Sequence, residues 1–186
     1  MIGAITAGLF STGVAASTTA YESISTVTVG GGGASSISFT SIPSTFKHLE
    51  IRGIGQINTG TEYALVRFNS DSGANYSIHY LNGSGSAASA GAATSTNQAA
   101  MFYGMGMPST ASTFGVGVCS ILDYADTNKY KTVRALDGFD ANGSGGVELV
   151  SSSWRNTAAI TSISLTPNSS KTFAQYSSFA LYGIKG

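Results

Sequence analysis

Charge is the scarcest property of this 186-residue chain. Nine Lys/Arg and nine Asp/Glu make only 10% of it charged, against about 25% in an ordinary soluble domain. The two signs cancel to a net charge of zero. That argues against the basic footprint by which proteins hold nucleic acid, and against a polybasic patch for anionic lipid. It also leaves little repulsion to keep identical copies apart, which suits a chain that lives inside an assembly. Cysteine occurs once, at Cys119. An intrachain disulfide and a cysteine-based zinc site are therefore excluded, and the apolar run 114–122 around Cys119 predicts a buried thiol. No window of about 18 apolar residues occurs, so no membrane span is expected. Helical periodicity is nearly missing too.

What is present is a succession of short β-type runs separated by Gly, Ser, Asn and Asp clusters. Runs at 21–29, 36–42, 47–57, 63–69 and 75–81 alternate in polarity. Ile37 and Phe39 share one face, as do Leu49 and Ile51, then Ala64, Val66 and Phe68, then Tyr76, Ile78 and Tyr80. Further runs follow at 101–105, 114–122, 129–136, 147–154, 160–166 and 178–184, with turns at 123–128 and 137–146. Residues 82–100 are low in complexity and read as a long, mobile loop. About ten short strands at regular spacing predict an all-β, antiparallel β-sandwich of jelly-roll type. The expected organisation is a docking arm over residues 1–20 and one sandwich domain over 21–186. The arm is apolar but lacks the Lys or Arg of a signal peptide n-region; it is expected to dock on a neighbour through Ile2, Ile5, Leu9, Phe10 and Val14.

Groups for catalysis are sparse. His48, beside Glu50 on the polar side of its strand, has too few companions for a metal site; His79 is expected to face solvent. Asp137 and Asp140 lie close in sequence, yet a glycosidase needs two carboxylates across a cleft. Counting from Asp137, Glu148 takes the twelfth position of a calcium loop, but Phe139 and Ala141 occupy positions that should carry oxygen ligands. An Asn142–Gly143 hairpin turn accounts for the stretch better. Phosphate-binding glycine motifs and G-x-S-x-G are lacking. No catalytic, cofactor-binding or metal-ligating residue is predicted.

Several stretches together cover most of the chain: MIGAITAGLF, YESISTVTVGGGGASSISFTSIPSTFKHLEIRG, RFNSDSGANYSIHYLNGSG, DYADTNKYKTVRALDGFDANGSGG, SSSWRNTAAITSISL and FAQYSSFALYGIKG. In these the sequence resembles small virion proteins of tailed phages, common among aquatic and cyanobacterial viruses. The resemblance implies a β-sandwich on the outer surface of a virion, without enzymatic activity and usually trimeric. The leading expectation is a short tail fibre or receptor-binding appendage, anchored by its amino-terminal arm. A capsid decoration (cement) protein is the alternative. A carbohydrate-binding lectin or glycan hydrolase is a further one, with Tyr76, Tyr80, Tyr103 and Trp154 as candidate contacts to a host-surface glycan. The expected partners are the chain itself, as a homotrimer, and other virion proteins.

Overall fold

The computed structural model describes residues 19–102 and 106–186. Fourteen strands form there: β1 (Tyr21–Thr28), β2 (Ile37–Phe39), β3 (His48–Gly55), β4 (Thr61–Glu62), β5 (Ala64–Phe68), β6 (Tyr76–Gly83), β7 (Ala88–Thr96), β8 (Ala99–Met101), β9 (Met107–Pro108), β10 (Gly115–Leu122), β11 (Lys131–Ala141), β12 (Ser144–Trp154), β13 (Ile163–Pro167) and β14 (Ser178–Ile184). Among the described residues the one helical element is a 3-10 turn at Asn168–Ser170. Among the described residues no helix is long and apolar enough to cross a membrane.

An eight-stranded sheet runs β1-β14-β3-β10-β11-β12-β6-β7, and a four-stranded sheet runs β2-β13-β5-β8. Every pairing in both is antiparallel. Strands β4 and β9 make a small third sheet. The expected all-β, antiparallel class is therefore found, in an arrangement consistent with a β-sandwich.

The alternation in the sequence is the reason. Side chains on a strand point to opposite faces in turn, so Ile37 and Phe39, then Ala64, Val66 and Phe68, then Ile163 and Leu165 line one face of the smaller sheet, all buried. Leu49 and Ile51, Cys119 and Ile121, Val133 and Ala135, and Val150 come from the larger sheet into the same core. Fully burying one such side chain contributes roughly 1.5–3 kcal/mol.

Phe68, Tyr76 and Trp154 form its aromatic end, with ring centroids 5.6 Å apart for Phe68–Trp154 and 6.3 Å for Tyr76–Trp154. Their polar atoms are not stranded. The Trp154 indole N–H donates to Asp71 Oδ2 at 2.7 Å. The Tyr76 hydroxyl donates to the Asp71 carbonyl and accepts from the Phe68 N–H. Asp71 also accepts from the Gly73 N–H and Asn75 Nδ2. These hydrogen bonds, the one from Trp154 foremost, hold its carboxyl below the usual range.

Two expectations need correction. Residues 82–100 are not one loop: β6 runs on to Gly83, β7 takes Ala88–Thr96 and β8 begins at Ala99. Small side chains hid β7, and they have a steric reason. The Tyr80 ring lies across Gly91, where a Cβ would meet its hydroxyl at 2.5 Å. The stretch 137–146 is likewise mostly strand. Only Asn142 and Gly143 form the turn, both at positive φ (57° and 91°), as a two-residue hairpin demands; the Asn-Gly reading holds, with tighter bounds. The Asp140 side chain caps it, accepting from the Gly143 N–H at 3.0 Å. Ile2, Ile5, Leu9, Phe10, Val14 and Tyr103 lie outside the described residues.

The Asp71–Trp154 bond provides a direct check on this core. Trp154→Phe keeps an aromatic ring but removes the indole donor. The urea midpoint, followed by circular dichroism, should fall by an amount corresponding to about 1–3 kcal/mol. An unchanged midpoint would mean that the bond contributes nothing.

Candidate interaction surface

The smaller sheet covers one face of the larger. On the other face the strand register aligns side chains in rows. One row crosses β3, β10, β11, β12 and β6 as Arg52, Val118, Leu136, Leu149 and Leu81. The next runs Ile54, Val116, Gly138, Val147 and Gly83. Alanines 90 and 88 of β7 continue the two rows. The seven aliphatic side chains in these rows are between 41% and 58% exposed. Single exposed leucines are ordinary on soluble proteins, but a contiguous patch of this kind is not.

Glycine shapes the patch. A hollow of about 620 Å³ lies among Arg52, Val116, Val118, Leu136 and Val147; at Gly138, on its floor, a Cβ would meet the Gly146 carbonyl at 2.2 Å, so only glycine fits there. Beside it a second hollow, of about 330 Å³, opens above Gly83 between Leu81, Leu149 and Val147. The leucines of the first row stand as a ridge along both.

Several of the charges at the margin are paired. Arg52 donates from Nε to Glu50 Oε1 at 2.8 Å. Its guanidinium lies 5.2 Å from the ring centroids of both Tyr21 and Tyr182. Farther along, Asp123 pairs with Lys47 at 2.9 Å and with Lys129. Those lysines pull its carboxyl down to about 2. His48 Nδ1 accepts from the Asp123 N–H at 3.0 Å, so it serves the fold rather than a metal. His79 is exposed, as expected.

Directly behind the patch lies an arrangement of the opposite character. Asp137 and Glu148 are cross-strand partners on β11 and β12 and point inward. They are only 3% and 1% exposed. Asp137 Oδ2 accepts from the Phe102 N–H at 2.9 Å; Asp137 Oδ1 has no hydrogen-bond partner among the described residues, and the side-chain amide of Asn82 is the one group beside Glu148 that favours its charged form. Burial pushes Asp137 up to about 7. Burial first, and then Asp137 beside it, push Glu148 up to about 8. A pair of this kind holds a proton at neutral pH, because two adjacent buried carboxylates resist ionising together.

Chemically the two acids are inward-facing neighbours rather than carboxylates opposed across an open cleft. The stretch that mimicked a calcium loop is a hairpin that sets its first and twelfth positions opposite each other. Among the described residues no cluster of three or more His, Cys, Asp or Glu could hold a metal. Cys119 is buried as expected, and burial raises its thiol to about 12.

Of the candidate glycan contacts, Tyr76, Tyr80 and Trp154 lie within the described residues. Tyr76 and Trp154 are core residues, 0% and 1% exposed, because their inward phase packs them against Phe68. Tyr80 is half-buried over Gly91. The residues that do form a surface, Leu136, Leu149 and Leu81, were not singled out in the sequence. A signal existed: on β11 and β12 the phase that buries Val133, Ala135 and Val150 puts Leu136 and Leu149 outside and the two acids inside. No family model matches the chain, and no curated protein or solved structure shows significant similarity to it.

The acid pair yields a pH dependence of unusual sign. Both folded-state values lie above the unfolded values of about 4, so the folded chain binds protons more tightly. The corresponding stability is complete below about pH 4 and is lost as pH rises through 7 to 8. Wild-type protein should be less stable at pH 9 than at pH 5 by about 2 kcal/mol or more in denaturant titrations. The double variant Asp137→Asn, Glu148→Gln should lose most of that slope. Equal slopes in the two proteins would refute the assignment.

Proposed function

We propose that this chain is a non-enzymatic structural subunit on the outer surface of a tailed-phage particle, a short tail fibre or receptor-binding appendage, working as a homotrimer. The observation that carries the reading is the aliphatic outer face of the eight-stranded sheet. A surface of leucine and valine at that density belongs against protein, in an assembly. The near-absence of net charge fits the same setting, since identical copies meet without repulsion.

We read the architecture as a jelly roll with two inserted hairpins. Eight strands support this: β1-β14-β3-β10 in one sheet and β2-β13-β5-β8 in the other. In chain order the path alternates between the sheets except at β5 and β8, which follow one another in the smaller one. Hairpins β6–β7 and β11–β12 then widen only the first sheet, beyond β10. Jelly rolls of eight strands recur in viral capsid proteins and lectins, and the resemblance to small virion proteins favours the former. Residues 1–16, with Ile2, Ile5, Leu9, Phe10 and Val14, serve in this reading as the attachment to other virion proteins.

The test is particle incorporation. Antibody against the chain should label purified virions at the tail by electron microscopy. A chain lacking residues 1–16 should still fold, since β1 starts at Tyr21, yet be lost from particles. Label along the capsid shell would favour a decoration protein instead. Virions free of label would refute the reading.

A further inference from the structure

We infer that the ridge-and-hollow face of the eight-stranded sheet is the contact between copies of this chain, the leucine ridge of one copy seating in the glycine hollow of the next. The inference rests on the reading of the chain as a self-associating subunit and names the surface responsible.

Four observations favour a second copy as the occupant. The first is size. The whole outer face, eight strands about 4.8 Å apart and eight residues long at about 3.3 Å each, covers roughly 900 Å², so the two apolar rows together with the polar residues around them leave room for the roughly 800 Å² per partner of a standard interface. The second is the distribution of polarity. Ile54, Val116, Val118, Leu136, Leu149 and Val147 form an apolar centre. Along the same strands lie Ser120, Arg134, Ser151 and His79, the next row, which supplies the polar rim that protein interfaces carry.

The third is charge. The cation bordering the hollow, Arg52, is already tied to Glu50, and the one exposed carboxylate on its edge, Asp140, is engaged by the Gly143 N–H of its own turn, so a second copy of this near-neutral face meets little charge to bury. The fourth is shape. Leu136 protrudes beside the larger hollow and, with Leu149, beside the open space over Gly83. Ridge and hollow are on one face but offset by one row, so a copy rotated about an axis can fill the hollow of its neighbour. A head-to-tail contact of this kind makes a ring where the rotation between copies closes, and the proposed trimer is the case in which three such steps complete the turn.

The test uses the full chain and two variants. Leu136→Lys with Leu149→Lys places charge on the ridge at exposed positions, where the fold does not depend on it. Thr132→Lys adds charge to the same face, two rows from the ridge. Light scattering at micromolar concentration should give a trimer mass for the wild type and for Thr132→Lys. The double variant should give a monomer mass, with an unchanged circular dichroism spectrum. A variant with Leu136→Ser and Leu149→Ser should also give a monomer mass, and its anilinonaphthalene sulfonate fluorescence should exceed that of the wild-type trimer, because dissociation exposes the remaining valines. A monomeric wild type overturns the inference, as does a double variant that keeps the trimer mass. Virion labelling is read independently, so a chain that joins particles without this contact would sink the inference and leave the proposed function standing.

Discussion

The register between β11 and β12 decides what both sides of the larger sheet present. Side chains alternate with a period of two, so a slip of one residue would exchange the faces entirely. The hairpin is pinned at both ends. At the closed end Asn142 and Gly143 take the left-handed conformations of a two-residue turn. At the open end Trp154 lies opposite Lys131, whose buried ammonium donates to the carbonyls of Lys129 and Thr157 at 3.0 Å each. Between those pins Val133, Ala135 and Val150 must face the core. Leu136 and Leu149 must then face out, and Asp137 and Glu148 must face in.

The slipped register would look better locally, with leucines buried and acids in water. The chain holds the costlier arrangement, and the two costs are adjacent: an uncovered aliphatic ridge, and behind it two carboxylates without counter-charges. Cys119 and Asn82, close to the pair on β10 and β6, offer no positive charge. Strain of this kind persists when it serves a function. In the assembly we propose, the ridge supplies an interface. The pair makes the backbone that carries the ridge sensitive to protonation, since each acid is the chain neighbour of a ridge leucine.

Much of the fold was legible because large apolar side chains mark the alternation. Ile37 and Phe39, the Ala64–Val66–Phe68 series and Tyr76 with Ile78 all point where the sequence pattern puts them. Strand β7 was not legible. Its alanines, serines and glycine carry no alternation, and its order comes from backbone bonds to β6 and from the room Tyr80 needs above Gly91. Asp137 was misread as a turn residue because Asp, Gly and Asn crowd that stretch, whereas only two residues turn. Tyr76 and Trp154 suggested a binding platform by chemical type alone; phase, and the hydrogen bonds around Asp71, place them in the core. The surface that stands out physically was invisible for a simple reason. Rows across a sheet join residues far apart in the chain, such as Ile54 and Val147, and only strand order brings them together.

The central claim is that the outer face of the larger sheet is covered when the protein is assembled. Hydroxyl-radical footprinting of the intact oligomer measures this directly. Val116, Leu136, Val147 and Leu149 should be oxidised far more slowly than the exposed Tyr130 and Tyr176, after correction for intrinsic reactivity. Oxidation of these four at the rate their exposure in a single chain implies would contradict the account.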